Sequence, residues 1–168
     1  MLTFVFPQAV ITNNTVTEEG ERHGVRTYIF APCIVYGRGE GFGNIVSIQT
    51  VAIVKAARAM KRVYKVDREG QPTWPVCHVL DNTALYIEIL RAILLGGKDL
   101  GHGREGYFLA SPGSVAWDDL YTAMAAALAK RNVIGDHAVV PANESILGQI
   151  GEALGCPPEF VPVQMGGL

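Results

Sequence analysis

Apolar and polar positions along this chain fall into short blocks. An apolar run from Val25 to Ala31 stops at Pro32, and a second, Cys33 to Tyr36, opens into a loop with glycine at 37, 39, 41 and 43. Apolar runs of this length between breakers read as buried strands. Val25, Thr27, Tyr28, Ile29 and Phe30 are β-branched or aromatic types that fit a pleated surface. Pro32 has no N–H to give to a ladder, so the first strand is expected to end there. The clustered glycines permit positive φ and close approach by a ligand, and a strand opening into such a loop is where open α/β sheets bind ligands. A plain surface turn is the other reading of the same spacing.

The remaining pattern is mostly helical. Residues 1–11 read as a short strand broken at Pro7. Asn13 or Asn14 is expected to cap a helix to about His23, with Glu18 and Glu19 near its positive end and Gly24 as its stop. Residues 45–60 carry apolar positions at helical spacing, with Lys55, Arg58, Lys61 and Arg62 loading the C-terminal end. Val63–Val66 reads as an edge strand, 67–75 as a loop and Val76–Leu80 as a strand. Asp81 is expected to cap a helix to about Leu95 that ends at Gly96 and Gly97. Tyr107–Ala110 is strand-like, and Ser114 is expected to cap a helix over 115–131. Ala138–Val140 reads as a strand, Asn143 caps a last helix, and the tail from Gly155 reads as loop. Strands alternating with helices give an α/β class, with about four visible strands and about five helices.

Composition narrows the function classes. The 168 residues are 49% hydrophobic and only 18% charged, with a mean hydropathy of +0.21. That is apolar for a domain of this size, so the core is large or some apolar surface expects a partner. A net charge of −2 without a basic block argues against nucleic acid. No apolar run is long enough to span a membrane. The apolar N-terminus lacks a positive region and a cleavage site, so it is not read as a signal peptide. Cys33, Cys77 and Cys156 form neither a disulfide framework nor a zinc pattern, and read as reduced thiols of a cytoplasmic protein.

Few motifs carry chemistry. Gly101–Gly106 (GHGREG) matches the dinucleotide pattern by letter. It has a helix before it and a strand after it, the reverse of what a pyrophosphate site requires, and is rejected. No two of the four histidines have ligand spacing, so no metal is expected. His78 stands where a strand meets a helix. It is a candidate acid, base or substrate ligand, and a histidine bonded to nearby backbone is the plainer reading.

The ordered series VRTYIFAPCIVYGRGEGFGNIVSIQ, HVLDNTALYIEIL and GYFLASPGSVAWDDL resembles the C-terminal half of an extended short-chain dehydrogenase/reductase. That group comprises NAD(P)-dependent epimerases and dehydratases; the likeness is nearest to fungal nucleotide-sugar-epimerase-like members and covers about residues 10–165. It implies a truncated Rossmann-like α/β fold. By resemblance, Pro32, Cys33 and Ile34 lie beside the nicotinamide, with Tyr36 at the strand end. Gly41, Phe42, Asn44 and Gln49 wall the substrate pocket, and Trp74, His78 and Asp81 border it. Trp117 reads as a helix-packing residue.

The departures from that family bear on function. No glycine-rich dinucleotide turn occurs, and none of the six tyrosines has lysine four residues on, so the Y-x-x-x-K pair is absent. The resemblance then implies a substrate-binding half without its cofactor half. A single domain over 1–168 is expected, with 1–44 a remnant of the parallel-sheet core and 45–168 the substrate-binding part. NAD(P) is implied by resemblance only. Exposed sheet edges and faces predict a homodimer or a covering partner chain. The leading expectation is a truncated epimerase/dehydratase relative acting on a small organic molecule, with His78 and Tyr36 catalytic. The alternatives are a cofactor-independent isomerase or cyclase using the same pocket, and a non-catalytic binding subunit.

Overall fold

The computed structural model describes residues 7–43, 45–66, 70 and 72–166. Among them, in chain order, are α1 (Pro7–Arg22), β1 (Ile29–Pro32), β2 (Ile34–Tyr36), α2 (Ile48–Met60), β3 (Val63–Lys65) and β4 (Thr73–His78). Then come α3 (Val79–Leu94), β5 (Tyr107–Ala110), β6 (Gly113–Ala116), α4 (Trp117–Lys130), β7 (Val139–Pro141), α5 (Glu144–Leu154) and α6 (Val161–Met165), with three-ten turns at Gly103–Glu105 and Pro158–Phe160. The α/β class holds, with seven short strands in three small sheets among the described residues, where about four strands were expected.

The chain forms two compact units, each built from separate stretches of sequence. One comprises the chain up to Cys33 with Leu80–Ser111; the other comprises Ile34–Val79 with the chain from Pro112.

The second unit holds the core. Its three-stranded sheet has the order β2-β4-β6, with β4 parallel to β2 and antiparallel to β6. Pro75 is tolerated in this central strand because β2 pairs only from Val76 onward, so β4 is bonded on one side at the proline. β3 and β7 make a parallel pair in which Val63 is fully buried. α2 contributes Ala52, Ile53, Ala56 and Ala57, the i, i+1, i+4, i+5 stripe of an amphipathic helix. α4 adds Trp117, Tyr121, Ala125 and Leu128, and the C-terminal helices add Ile150, Val161 and Met165. The Tyr121 hydroxyl donates to the Met165 carbonyl at 2.9 Å, which secures the end of α6. Gly166 follows with φ +84°, and a Cβ there would fall 1.8 Å from the Trp117 ring. Glycine is therefore required to turn the chain beside that indole.

The first unit is thinly packed. It contains only the parallel pair β1–β5, with α1, most of α3 and the three-ten turn around it. Ile29 and Ala110 are its only buried apolar residues among those described. The inward side of α1 is Thr17 and Gly20, whereas Val10, Ile11 and Val16 are exposed. α3 buries no residue, and Leu94, Leu95 and Leu109 are 77%, 87% and 71% exposed. Parallel sheets are normally covered on both faces, and an apolar helix is normally buried.

Several expectations are corrected. α1 begins at Pro7, a residue suited to a helix's first turn, and not at Asn13 or Asn14. Glu18 and Glu19 thus lie near its C-terminal end, where Glu19 pairs with Arg22 and His23. The rest of the 1–11 expectation, and the 67–69 and 71 part of the expected loop, fall outside the described residues. The first strand starts at Ile29, because Val25–Tyr28 have no ladder partner. Thr73–Pro75 are strand. Asp81 sits in the first turn of α3 instead of capping it. Ser114 belongs to β6, which pairs back on β4 before α4 begins at Trp117. The tail is not loop but a three-ten turn and α6. Trp117 is buried in the core as a packing residue. No helix among the described residues is long and apolar enough to cross a membrane.

Asn143 caps α5 as its sequence position predicts, its side chain accepting from the Ile146 N–H at 2.9 Å. Two substitutions test this architecture by thermal melting. Asn143→Ala is expected to cost about 1 kcal/mol. Gly166→Ala is expected to cost more than about 2 kcal/mol, from left-handed strain and displacement of the indole. A melting temperature unchanged in Gly166→Ala would contradict the packing of Trp117 against this turn.

Candidate functional site

The chemistry gathers in the second unit, at the carboxyl ends of β2 and β4. The two strands run parallel in a register that sets Ile34 opposite Val76, Val35 opposite Cys77 and Tyr36 opposite His78. Both strands therefore end together, with a tyrosine and a histidine side by side. Their rings meet edge to face at 5.2 Å between centroids. Tyr36 is exposed and His78 is half-buried.

Gly37 makes this arrangement possible. Its φ is +97°, and a Cβ built there would lie 2.5 Å from His78 Nε2. The imidazole occupies the space that a side chain at 37 would fill. Beyond Gly37 the chain loops out and returns, with the Gly39 N–H donating to the Ile45 carbonyl at 3.1 Å. Ser47 then stands at the N-cap of α2 in extended conformation, its side chain making no capping hydrogen bond. The Thr50 hydroxyl donates to the Ser47 carbonyl at 3.4 Å.

These elements enclose an open cleft of about 430 Å³ lined by Tyr36, Gly37, Arg38, Val46, Ser47 and Thr50 among others. It carries a phenol, a guanidinium and two hydroxyls, with the imidazole packed against its tyrosine. Tyrosine and histidine can both move protons, and arginine can hold an anionic group with a planar set of donors.

The structure distributes the other predicted residues. Pro32 ends β1 opposite Ala110, and the Cys33 thiol donates to the Ala110 carbonyl at 2.7 Å; both belong to the first unit. Ile34 packs into the core of the second. Gly41 and Phe42 are on the loop, with Phe42 fully exposed. Asn44 lies outside the described residues. Gln49 is half-buried in the first turn of α2. Trp74 lies opposite Val115 and packs against the core. Asp81 is exposed in α3, within the first unit. Of the proposed catalytic and ligand residues, Tyr36 and His78 are the pair brought into ring contact. Arg38, Ser47 and Thr50 line the cleft without having been singled out. A cation inside a glycine loop, and a serine just before an apolar helix, were the signals for the first two.

Among the described residues no group of three or more His, Cys, Asp or Glu side chains could hold a metal ion. Gly101–Gly106 lies between α3 and β5, with a three-ten turn in place of a long helix, and its Gly103 N–H is bonded to the Thr27 carbonyl at 2.9 Å.

No family model matches the chain. No curated protein matches its sequence. Among solved structures, the crystal structure of PbgP3 protein from Burkholderia pseudomallei is similar in fold, with a TM-score of 0.55 at 14% sequence identity. The match covers 95% of this chain and 49% of that one, so the chain spans about half the length of this neighbour. At this identity the likeness concerns the Rossmann-like α/β fold alone; it supports neither a fungal affinity nor a truncation.

Gly37→Ala is expected to push the His78 ring away from Tyr36 and to strain the backbone by about 1–2 kcal/mol. Two-dimensional NMR of the histidine rings checks it: the His78 signals should move while those of exposed His23 and His137 stay in place. Unmoved His78 signals would contradict the contact.

Proposed function

We propose that this chain carries the substrate side of an epimerase/dehydratase-like oxidoreductase, acting in the cytoplasm on a small organic molecule bound at the carboxyl ends of β2 and β4. The observation that carries this reading is the registered pair Tyr36–His78 beside the cleft. Arg38 holds an anionic group of the substrate, with the positive end of α2 and the Ser47 and Thr50 hydroxyls nearby. Tyr36 or His78 gives and takes the proton at the reacting carbon or oxygen.

Gly101–Gly106 follows a helix and precedes a strand, an order that does not suit a pyrophosphate. In this reading NAD(P) comes with a second chain, which also covers the exposed side chains of α1 and α3 in the first unit. That uncovered apolar surface supports association. A second reading, a cofactor-independent isomerase, draws on the same site: both proton-transfer groups belong to one unit and need nothing from elsewhere.

Titration of the purified chain with NADPH and NADH by calorimetry, with its mass in solution measured by sedimentation, separates the two. Micromolar binding by an associated form is the expected result for the oxidoreductase. A folded chain that ignores millimolar cofactor removes that reading. In either case His78→Ala is expected to lower turnover by about a hundredfold or more, the usual share of a general acid or base. Full activity in His78→Ala would remove the histidine from the mechanism.

A further inference from the structure

The cleft beside Tyr36 does not stand alone. A second one, of about 270 Å³, is lined by Val46, Ser47, Ile48, Val51, Lys55 and Gln164 among others. The two adjoin along Val46, Ser47 and Val51, which line both. Ile48, Val51 and Lys55 recur at helical spacing on one side of α2, so the second cleft follows the helix. Between Ser47 and Lys55 the helix rises about 12 Å.

The charge along this path is uneven. Arg38 lines the first cleft and Lys55 the second, and no aspartate or glutamate lines either. Neither cation takes part in an ion pair among the described residues. The stretch between them is apolar and open to solvent, with Val46 and Ile48 50% and 66% exposed. A molecule complementary to this path has an anionic group at each end and an apolar middle. A compact monoanion would fill the first cleft and leave the second cation and its apolar approach without a role.

We propose that the substrate of this site is an elongated dianion with an apolar middle, its reacting end at Tyr36 and His78 beside Arg38, and its far anionic group at Lys55 and Gln164. This rests on the acid–base reading for which end reacts, but the binding path stands on the two clefts and their cations. Buried apolar length supplies affinity, and the two cations measure that length.

The test uses straight-chain α,ω-dicarboxylates of ~6 to ~12 carbons, lengths that bracket the helical rise, against monocarboxylates of equal length. Binding to the full labelled chain is followed by amide NMR shifts. The proposal expects affinity to peak at one intermediate length, and the matching monocarboxylate to bind about tenfold more weakly. Lys55→Gln should abolish that difference while shifts near Gly37 and Ser47 persist. Arg38→Gln should abolish the shifts near Gly37. Affinity indifferent to chain length or to the second carboxylate, or unchanged in Lys55→Gln, overturns the proposal. His78→Ala separates the two ideas: unchanged turnover in this variant with length selectivity intact sinks the acid–base reading alone, and lost turnover in this variant with no length selectivity in the unsubstituted chain sinks the dianion alone.

Discussion

Everything at the candidate site depends on the parallel pairing of β2 with β4. The contact is only three residues long, yet it fixes which side chains end up together. A slip of one residue would turn Tyr36 or His78 to the opposite face. The register is held from both sides. Ile34 anchors β2 in the core, and β6 pairs with the other half of β4. The Trp117 N–H donates to the Pro72 carbonyl at 3.1 Å, tying the start of α4 to the approach of β4, and the Trp117 ring is in turn buried against Gly166. Packing at the far end of the second unit thus holds a three-residue strand in register at the site. A second tie lies outside the site. Arg62 pairs with Asp136 at 2.8 Å, and that partner holds the carboxyl below its ordinary pKa. Because the folded value is the lower one, whatever this exposed pair contributes is present above the unfolded pKa and fades as pH falls through the lowered value.

The two units divide their labour unequally. The apolar clustering of the core lies wholly in the second, where residues from four helices and several strands interlock. In the first, many apolar residues of α1 and α3 are on the outside, and the buried positions of α1 are Thr17 and Gly20. The high hydrophobic fraction of the sequence is therefore not explained by one large core. It comes from one well-filled core and one unit whose apolar side chains have few partners within it. Phe30 and Tyr86, stacked at 3.7 Å, form one of the few substantial side-chain contacts there.

Much of the fold was legible because its signals are local. α2, α3, α4 and α5 follow from helical spacing, from the Gly96–Gly97 stop and from the Asn143 cap, each decided within a few residues. The errors arose where tertiary pairing overrode local preference. Ser114 has the chemistry of a cap, but β4 recruits it into a strand. Pro75 looks like a loop residue, yet one-sided pairing admits it to a sheet. α1 was shortened because Pro7 was read as a breaker when it opens the helix. At the site, His78 and Tyr36 could each be singled out as strand-end residues. Their contact could not, since it depends on a register set by Ile34, β6 and Trp117. Arg38 was missed because a cation in a loop has no periodicity to mark it.

The absence of a Y-x-x-x-K pair bears on how the site must work. In a tyrosine–lysine arrangement a nearby cation favours the phenolate, so that tyrosine can accept a proton. Tyr36 has a different neighbour. It is the imidazole of His78, set edge to face against the phenol ring. The cation in the cleft, Arg38, stays charged throughout and is suited to holding an anion instead of relaying a proton. The two groups are placed apart: the imidazole packs against Gly37, and the guanidinium lines the cleft. The tyrosine–histidine pair and the cleft with its cation all belong to the second unit.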